Sequence, residues 1–181
     1  LTAHYGNNNP VVYCDPTDNA VTSGGDLIDG VQLGDINNTN SGGLDGDSYV
    51  DLTGQFSTTL ASGGNYMLTI TSGSYSGDHY AAWIDLNNDK IFSQDEKIGE
   101  FSSPGSFAPT DITFTVPNTA AVGATRLRVR CTWPFQSEDE PLPLDACYPY
   151  FYGETEDYAI TISAGPPIDC LGAINGQAHP G

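Results

Sequence analysis

Between Asp85 and Glu96 the sequence reads Asp-Leu-Asn-Asn-Asp-Lys-Ile-Phe-Ser-Gln-Asp-Glu, with oxygen-bearing side chains at positions 1, 3, 5, 9 and 12 of a twelve-residue stretch. A hard divalent cation takes about six to eight oxygens at roughly 2.4 Å, and a loop curling once around it offers a side chain at every second position. The spacing therefore predicts a calcium loop. Asp85, Asn87 and Asp89 would supply its first turn, Ile91 a backbone carbonyl, Ser93 a direct or water-mediated contact, and Glu96 a closing bidentate carboxylate. Position six departs from the pattern, because Lys90 stands where a glycine ordinarily permits the sharp turn. A non-glycine residue in the left-handed region costs about 1 kcal/mol or more, which weakens such a site without abolishing it. The plain alternative is an acidic surface turn that holds no ion.

The elements that must position this loop read as strands. Tyr80-Ala81-Ala82-Trp83-Ile84 leads into it and Lys97 to Phe101 leaves it, in contrast to the flanking helices of an EF-hand. Further strand candidates are Ile28–Ile36 with a glycine kink, Tyr49–Leu52, Gln55–Leu60, Asn65–Thr71, Asp111–Val116, Thr125–Cys131 and Glu156–Ile162, most of them bounded by Gly, Ser or Asn. No segment sustains a helical period. About eight to ten short strands predict an all-β fold, a β-sandwich of jelly-roll or Ig-like type. In Thr125–Cys131, Leu127 and Val129 are expected to face inward and Arg126, Arg128 and Arg130 to line an exposed face.

The expected organisation is an Asn-rich N-terminal tail over residues 1–10, a sandwich over residues 11–163, and a Pro/Gly-rich linker or docking segment over residues 164–181. Leu1 is not an initiator methionine, so the numbering is expected to begin after processing or within a longer protein. No stretch approaches the roughly 20 apolar residues that span a bilayer as a helix. Five Lys+Arg against 23 Asp+Glu give a net charge of -18, which repels nucleic acid and anionic lipid alike. Clustered carboxylates of such a chain gain from bound Ca²⁺.

Cys14, Cys131, Cys147 and Cys170 form no C-x-x-C pair, so zinc and thioredoxin spacings are absent. The even count reads as two disulfides formed in an oxidising compartment, with three connectivities open. Cys131–Cys147 is favoured because it closes a short loop after a strand, which leaves Cys14 and Cys170 to tie the tails together; four free thiols are the alternative. Thr132 to Tyr152 is a long, stiff loop in which Trp133, Phe135, Tyr148, Tyr150, Phe151 and Tyr152 interleave with prolines and acids. Its aromatics either pack the loop on its own domain or contact a glycan or protein, with Trp133, Tyr148, Tyr150 and Tyr152 the candidates. Asn37-Asn38-Thr39 fits the glycosylation sequon at Asn37.

Tyr152-Gly153-Glu154-Thr155-Glu156-Asp157-Tyr158 resembles the signature of the GEVED domain family. The Tyr13-Cys14 opening with Ile36–Thr39, the run from Gly77 to Asp89, and the strand Thr125–Arg130 resemble the same family, so the resemblance covers about residues 11 to 163. Lys90, Thr155 in place of valine, and the longer aromatic loop depart from it. The resemblance implies a β-sandwich module of secreted, multidomain bacterial proteins, at the cell surface or beyond it. On a strand, Glu154 and Glu156 share one face while Thr155 and Asp157 share the other. One or more of Glu154, Glu156 and Asp157 is expected to complete or buttress the metal site; the alternative is a salt-bridged acidic strand.

Catalysis finds little support, since His4, His79 and His179 accompany no placed nucleophile and no Gly-x-Ser-x-Gly elbow. The expected function is a non-enzymatic, calcium-stabilised structural or adhesive module. Its tails would join it to a second copy or to neighbouring domains, and a head-to-tail contact that does not close yields a fibre. The alternative is a carbohydrate-binding module that takes polysaccharide on the aromatic loop.

Overall fold

The computed structural model describes residues 12–16, 25–42, 48–133, 144–150 and 152–166. Cys170 and residues 1–10 lie outside them, as does all of 164–181 beyond residue 166. Ten strands follow one another among the described residues: β1 (Ile28–Leu33), β2 (Ile36–Thr39), β3 (Tyr49–Asp51), β4 (Ser57–Ala61), β5 (Asn65–Ser72), β6 (His79–Ile84), β7 (Lys97–Ser102), β8 (Pro109–Thr115), β9 (Gly123–Thr132) and β10 (Gly153–Ser163). The one helical element among the described residues is a 3-10 turn over Gln94–Glu96.

The strands form two sheets, one in the order β2-β1-β5-β8 and the other in the order β3-β10-β9-β6-β7, with β4 also pairing on β10. The expected all-β sandwich is what the chain builds. Alternation sets its inner faces: Val31 and Leu33 on β1, Leu60 on β4, Leu68 and Ile70 on β5, Tyr80, Ala82 and Ile84 on β6, and Leu127 and Val129 on β9 meet in one core. Burying a large aliphatic side chain contributes about 1.5–3 kcal/mol, so this face fixes the register of every strand that carries it. The single strand expected over Ile28–Ile36 is instead a hairpin. Gly34, with φ 57, takes the first central position of a two-residue turn, and Leu33 pairs with Ile36.

The described part of the aromatic loop packs on its own domain, one of the two outcomes expected for it, and with the N-terminal segment it makes a third layer. Beyond Leu127, β9 is buried on both faces, and so is β10 from Gly153 to Tyr158. Parts of the N-terminal segment and of the aromatic loop lie over the outer face of the larger sheet. Ala81, Trp83, Phe92, Leu144, Ala146 and Tyr150 make a second small core there, with Tyr13 and Cys147 packed against it.

Candidate metal centre

β6 delivers Asp85 directly into the acidic loop, and the 3-10 turn that ends on Glu96 closes it. Asp85, Asp89 and Glu96 each offer a carboxylate oxygen, and these atoms lie within 4.8 Å of one another. Backbone donors hold the ring of oxygens in shape. Asp85 Oδ1 accepts from the Asp89 amide at 3.2 Å and Oδ2 from the Lys90 amide at 3.0 Å. Glu96 reaches across the loop, its Oε1 accepting from the Leu86 and Asn87 amides and its Oε2 from the amide and hydroxyl of Ser93. Asn87 and Asp89 are bonded to each other twice, Asn87 Oδ1 accepting the Asp89 amide and Asp89 Oδ2 accepting the Asn87 side-chain amide. Ile91 donates its amide to Asp89 Oδ1 while its side chain points to solvent. Lys90 adopts φ 67, the conformation that the sixth position requires even without glycine. The donor set is entirely oxygen, clustered and anionic, which fits a hard divalent cation and no soft one.

The loop is fastened from outside by Tyr13, whose hydroxyl donates to Asp85 Oδ2 at 2.7 Å and whose ring stacks on Phe92 at 5.1 Å. Burial pushes that hydroxyl well above the usual tyrosine range, so it stays a donor. The sequence marked Tyr13 only as part of the Tyr13-Cys14 opening, and its contact with the loop was not legible there. The guanidinium of Arg126 lies 4.6 Å from the centre of the same ring and donates to Asp157 Oδ2 at 2.8 Å. Asp157 therefore reaches the loop through Arg126 and Tyr13.

The arginine row is not an exposed face. Arg128 and Arg130 are fully buried, because the third layer covers the side of β9 from which they project. Arg128 grips Asp157 with two parallel bonds, Nε to Oδ1 at 2.8 Å and Nη2 to Oδ2 at 2.9 Å, and spends its remaining donors on the carbonyls of Ala146 and Cys14 and on Cys14 Sγ. Arg130 donates to Thr155 Oγ1 and to the carbonyls of Asp145 and Tyr148, with the Tyr150 ring 4.4 Å from its guanidinium. Burial draws its pKa down to about 10, still charged at neutral pH.

The alternation expected for Glu154 to Asp157 holds, but the partners differ from one face to the other. Thr155 and Asp157 meet the arginines, whereas Glu154 and Glu156 face the inter-sheet side. There Glu154 Oε2 accepts the Ile28 amide at 2.7 Å, and Glu156 Oε2 accepts the Tyr158 hydroxyl at 2.6 Å. Burial, reinforced by the charge of Glu154, raises Glu156 to about 8, so it is mostly protonated at neutral pH. Neither glutamate belongs to the group formed by Asp85, Asp89 and Glu96.

The disulfide expected between Cys131 and Cys147 is instead Cys14–Cys147, with Cα atoms 5.8 Å apart. The reason is the pleat of β9: Cys131 points with Leu127 and Val129 into the main core, while Cys147 packs against the outer cluster. The two lie on opposite faces of one sheet and cannot meet. Cys131 is a buried free thiol, and the pairing of Cys14 with Cys170 is likewise excluded. Of the aromatic-loop candidates, Tyr150 is buried on Arg130, while Trp133, Tyr148 and Tyr152 remain partly exposed. Asn37 is exposed on β2, its side-chain oxygen accepting from Gln32 Nε2.

A comparison with curated proteins found no match. A family model does match, over residues 79–161, a span that runs from the first residue of β6 through the acidic loop and the arginine strand into β10. The family whose model matches this span is the GEVED domain.

Proposed function

We propose that this chain is a non-enzymatic, calcium-stabilised extracellular module, whose terminal segments join it to further copies of itself as a subunit of a surface fibre. The GEVED match suggests the extracellular setting. Among the described residues no helix is long and apolar enough to cross a membrane. The observation that carries the calcium reading is the Asp85–Asp89–Glu96 triangle, pre-shaped by backbone donors with Lys90 already in the left-handed conformation. Asp85, Asp89 and Glu96 are the carboxylate ligands, Asn87 and the Ile91 carbonyl the neutral ones. The Cys14–Cys147 bridge supports an oxidising compartment.

The test combines melting and light scattering of the full chain, first with calcium and then with EGTA. Large or fibrous particles whose melt falls on chelation support the proposal. A monomer with an unchanged melt removes both the ion and the fibre. A second reading, polysaccharide binding, rests on the partly exposed rings of Trp133, Tyr148 and Tyr152. It predicts retardation of the monomer in gels containing the polysaccharide.

A further inference from the structure

At the end of the sandwich opposite the Asp85 loop, Asp26, Tyr75, Ser76, Trp133 and Tyr152 line a cavity of about 400 Å³. Three aromatic rings form its walls. Its acidic element is Asp26, 6% exposed, whose carboxyl hydrogen-bonds the carboxyl of Asp78 behind it. Asp78 is fully buried, and its Oδ1 has no hydrogen-bond partner. The Cys131 thiol stands 4.0 Å from its Oδ2. None of the ion pairs among the described residues involves either carboxyl.

Two carboxyls in contact cannot both ionise without a cation, so the pair holds a proton between them. Burial, helped by the charge of Asp26, lifts Asp78 to about 7. A cation seated on Asp26 would relieve that repulsion, and the walls decide which kind. A bare metal ion needs oxygens around it, whereas aromatic faces attract an organic ammonium and cover the alkyl stem behind it. A neutral sugar could stack on the rings but would leave the paired acids as they are.

We propose that the Tyr75–Trp133–Tyr152 cavity binds a primary alkylammonium group, its stem between the rings and its N–H donors on Asp26. The chain's own lysines are engaged elsewhere, Lys90 over Tyr13 and Lys97 on Glu100. Neither lysine of this sequence supplies the ligand, and a lysine side chain of a basic partner has the required chemistry. A net charge of -18 draws such a partner in. The site shares no residue with the calcium loop and stands or falls independently of it.

The test titrates the calcium-equilibrated full chain with Nα-acetyl-lysine methylamide, following tryptophan fluorescence and the Trp133 indole resonance. Saturable binding is expected, weakened about tenfold or more when the probe is Nε-acetylated. Asp26→Asn and Tyr152→Ala are each expected to weaken it comparably, and Tyr152, being half exposed, gives a variant whose fold is not at stake. Equal binding of the acetylated probe overturns the proposal. So does a response to neutral oligosaccharide or calcium alone, or no saturable response to the lysine probe at any soluble concentration.

Discussion

β6 starts just after one buried carboxyl and ends just before another, and the two are treated in opposite ways. Asp85, at the exit, is 1% exposed and has both oxygens satisfied by Tyr13 and the amides of Asp89 and Lys90. On the neighbouring strands at that end, Asp157 is gripped by Arg128 and Arg126. Asp78, at the entrance, is equally buried but faces Asp26 and a thiol, with one oxygen unmatched. The contrast separates two answers to one problem. A buried acid can be kept charged by donors and cations, or it can be kept in place by a proton until something better arrives.

The most disruptive way to probe the matched end is Asp157→Ala, which takes the counter-ion from the fully buried Arg128 and leaves Arg126 with Asp51 alone. A loss of about 3–5 kcal/mol is expected in urea unfolding, as for other buried pairs broken on one side. A loss under about 1 kcal/mol would mean that the carbonyls of the third layer hold the arginines unaided. Next in size, calcium at about 100 to 1,000 times its dissociation constant should stabilise the wild type by about 3–4 kcal/mol. Asp85→Asn combined with Glu96→Gln should abolish that increment, and a calcium shift that persisted in the double variant would remove these residues from the site.

At the unmatched end the expected change is a gain. Because the folded pKa of Asp78 is raised to about 7 from 3.8, its contribution is fully present below the unfolded value and is lost as pH rises through the folded one. Asp78→Asn should therefore melt about 2–4 °C above the wild type at pH 8 in EGTA, and level with it near pH 4. Glu156, raised from 4.5 to about 8, has the same sign, so Glu156→Gln should widen the gap at pH 8. A wild type whose stability rose steadily from pH 5 to 8 would contradict both. The smallest effect is Lys90→Gly, which relieves a left-handed lysine and should raise calcium-bound stability by up to about 1 kcal/mol, seen as a modest rise in Tm.

Much of this was readable from residues close together in the chain. The twelve-residue oxygen spacing, the all-β pattern, and the alternation of Glu154 and Glu156 against Thr155 and Asp157 depend on local periodicity, which a sequence displays. What escaped was decided by distant segments. Arg128 reads as an outward residue on β9, and only the arrival of residues 12–16 and 144–150 on that face turns outward into buried. The same layer brings Cys14 to Cys147 across 133 residues, a pairing that short-loop reasoning disfavours. Asp26 and Asp78 carry no mutual spacing signal, since they meet only at the end of the sandwich.

β10 pairs with β9 on one side and with both β3 and β4 on the other, in parallel. It is also the last strand among the described residues, ending at Ser163. During synthesis, the edges of β3 and β4 that it covers must wait, unpaired, until nearly the whole described chain has emerged. Such late, long-range parallel pairing makes for slow closure and leaves sticky edges open meanwhile. If the module is exported as proposed, that delay would leave the chain loose enough to be moved before its larger sheet closes.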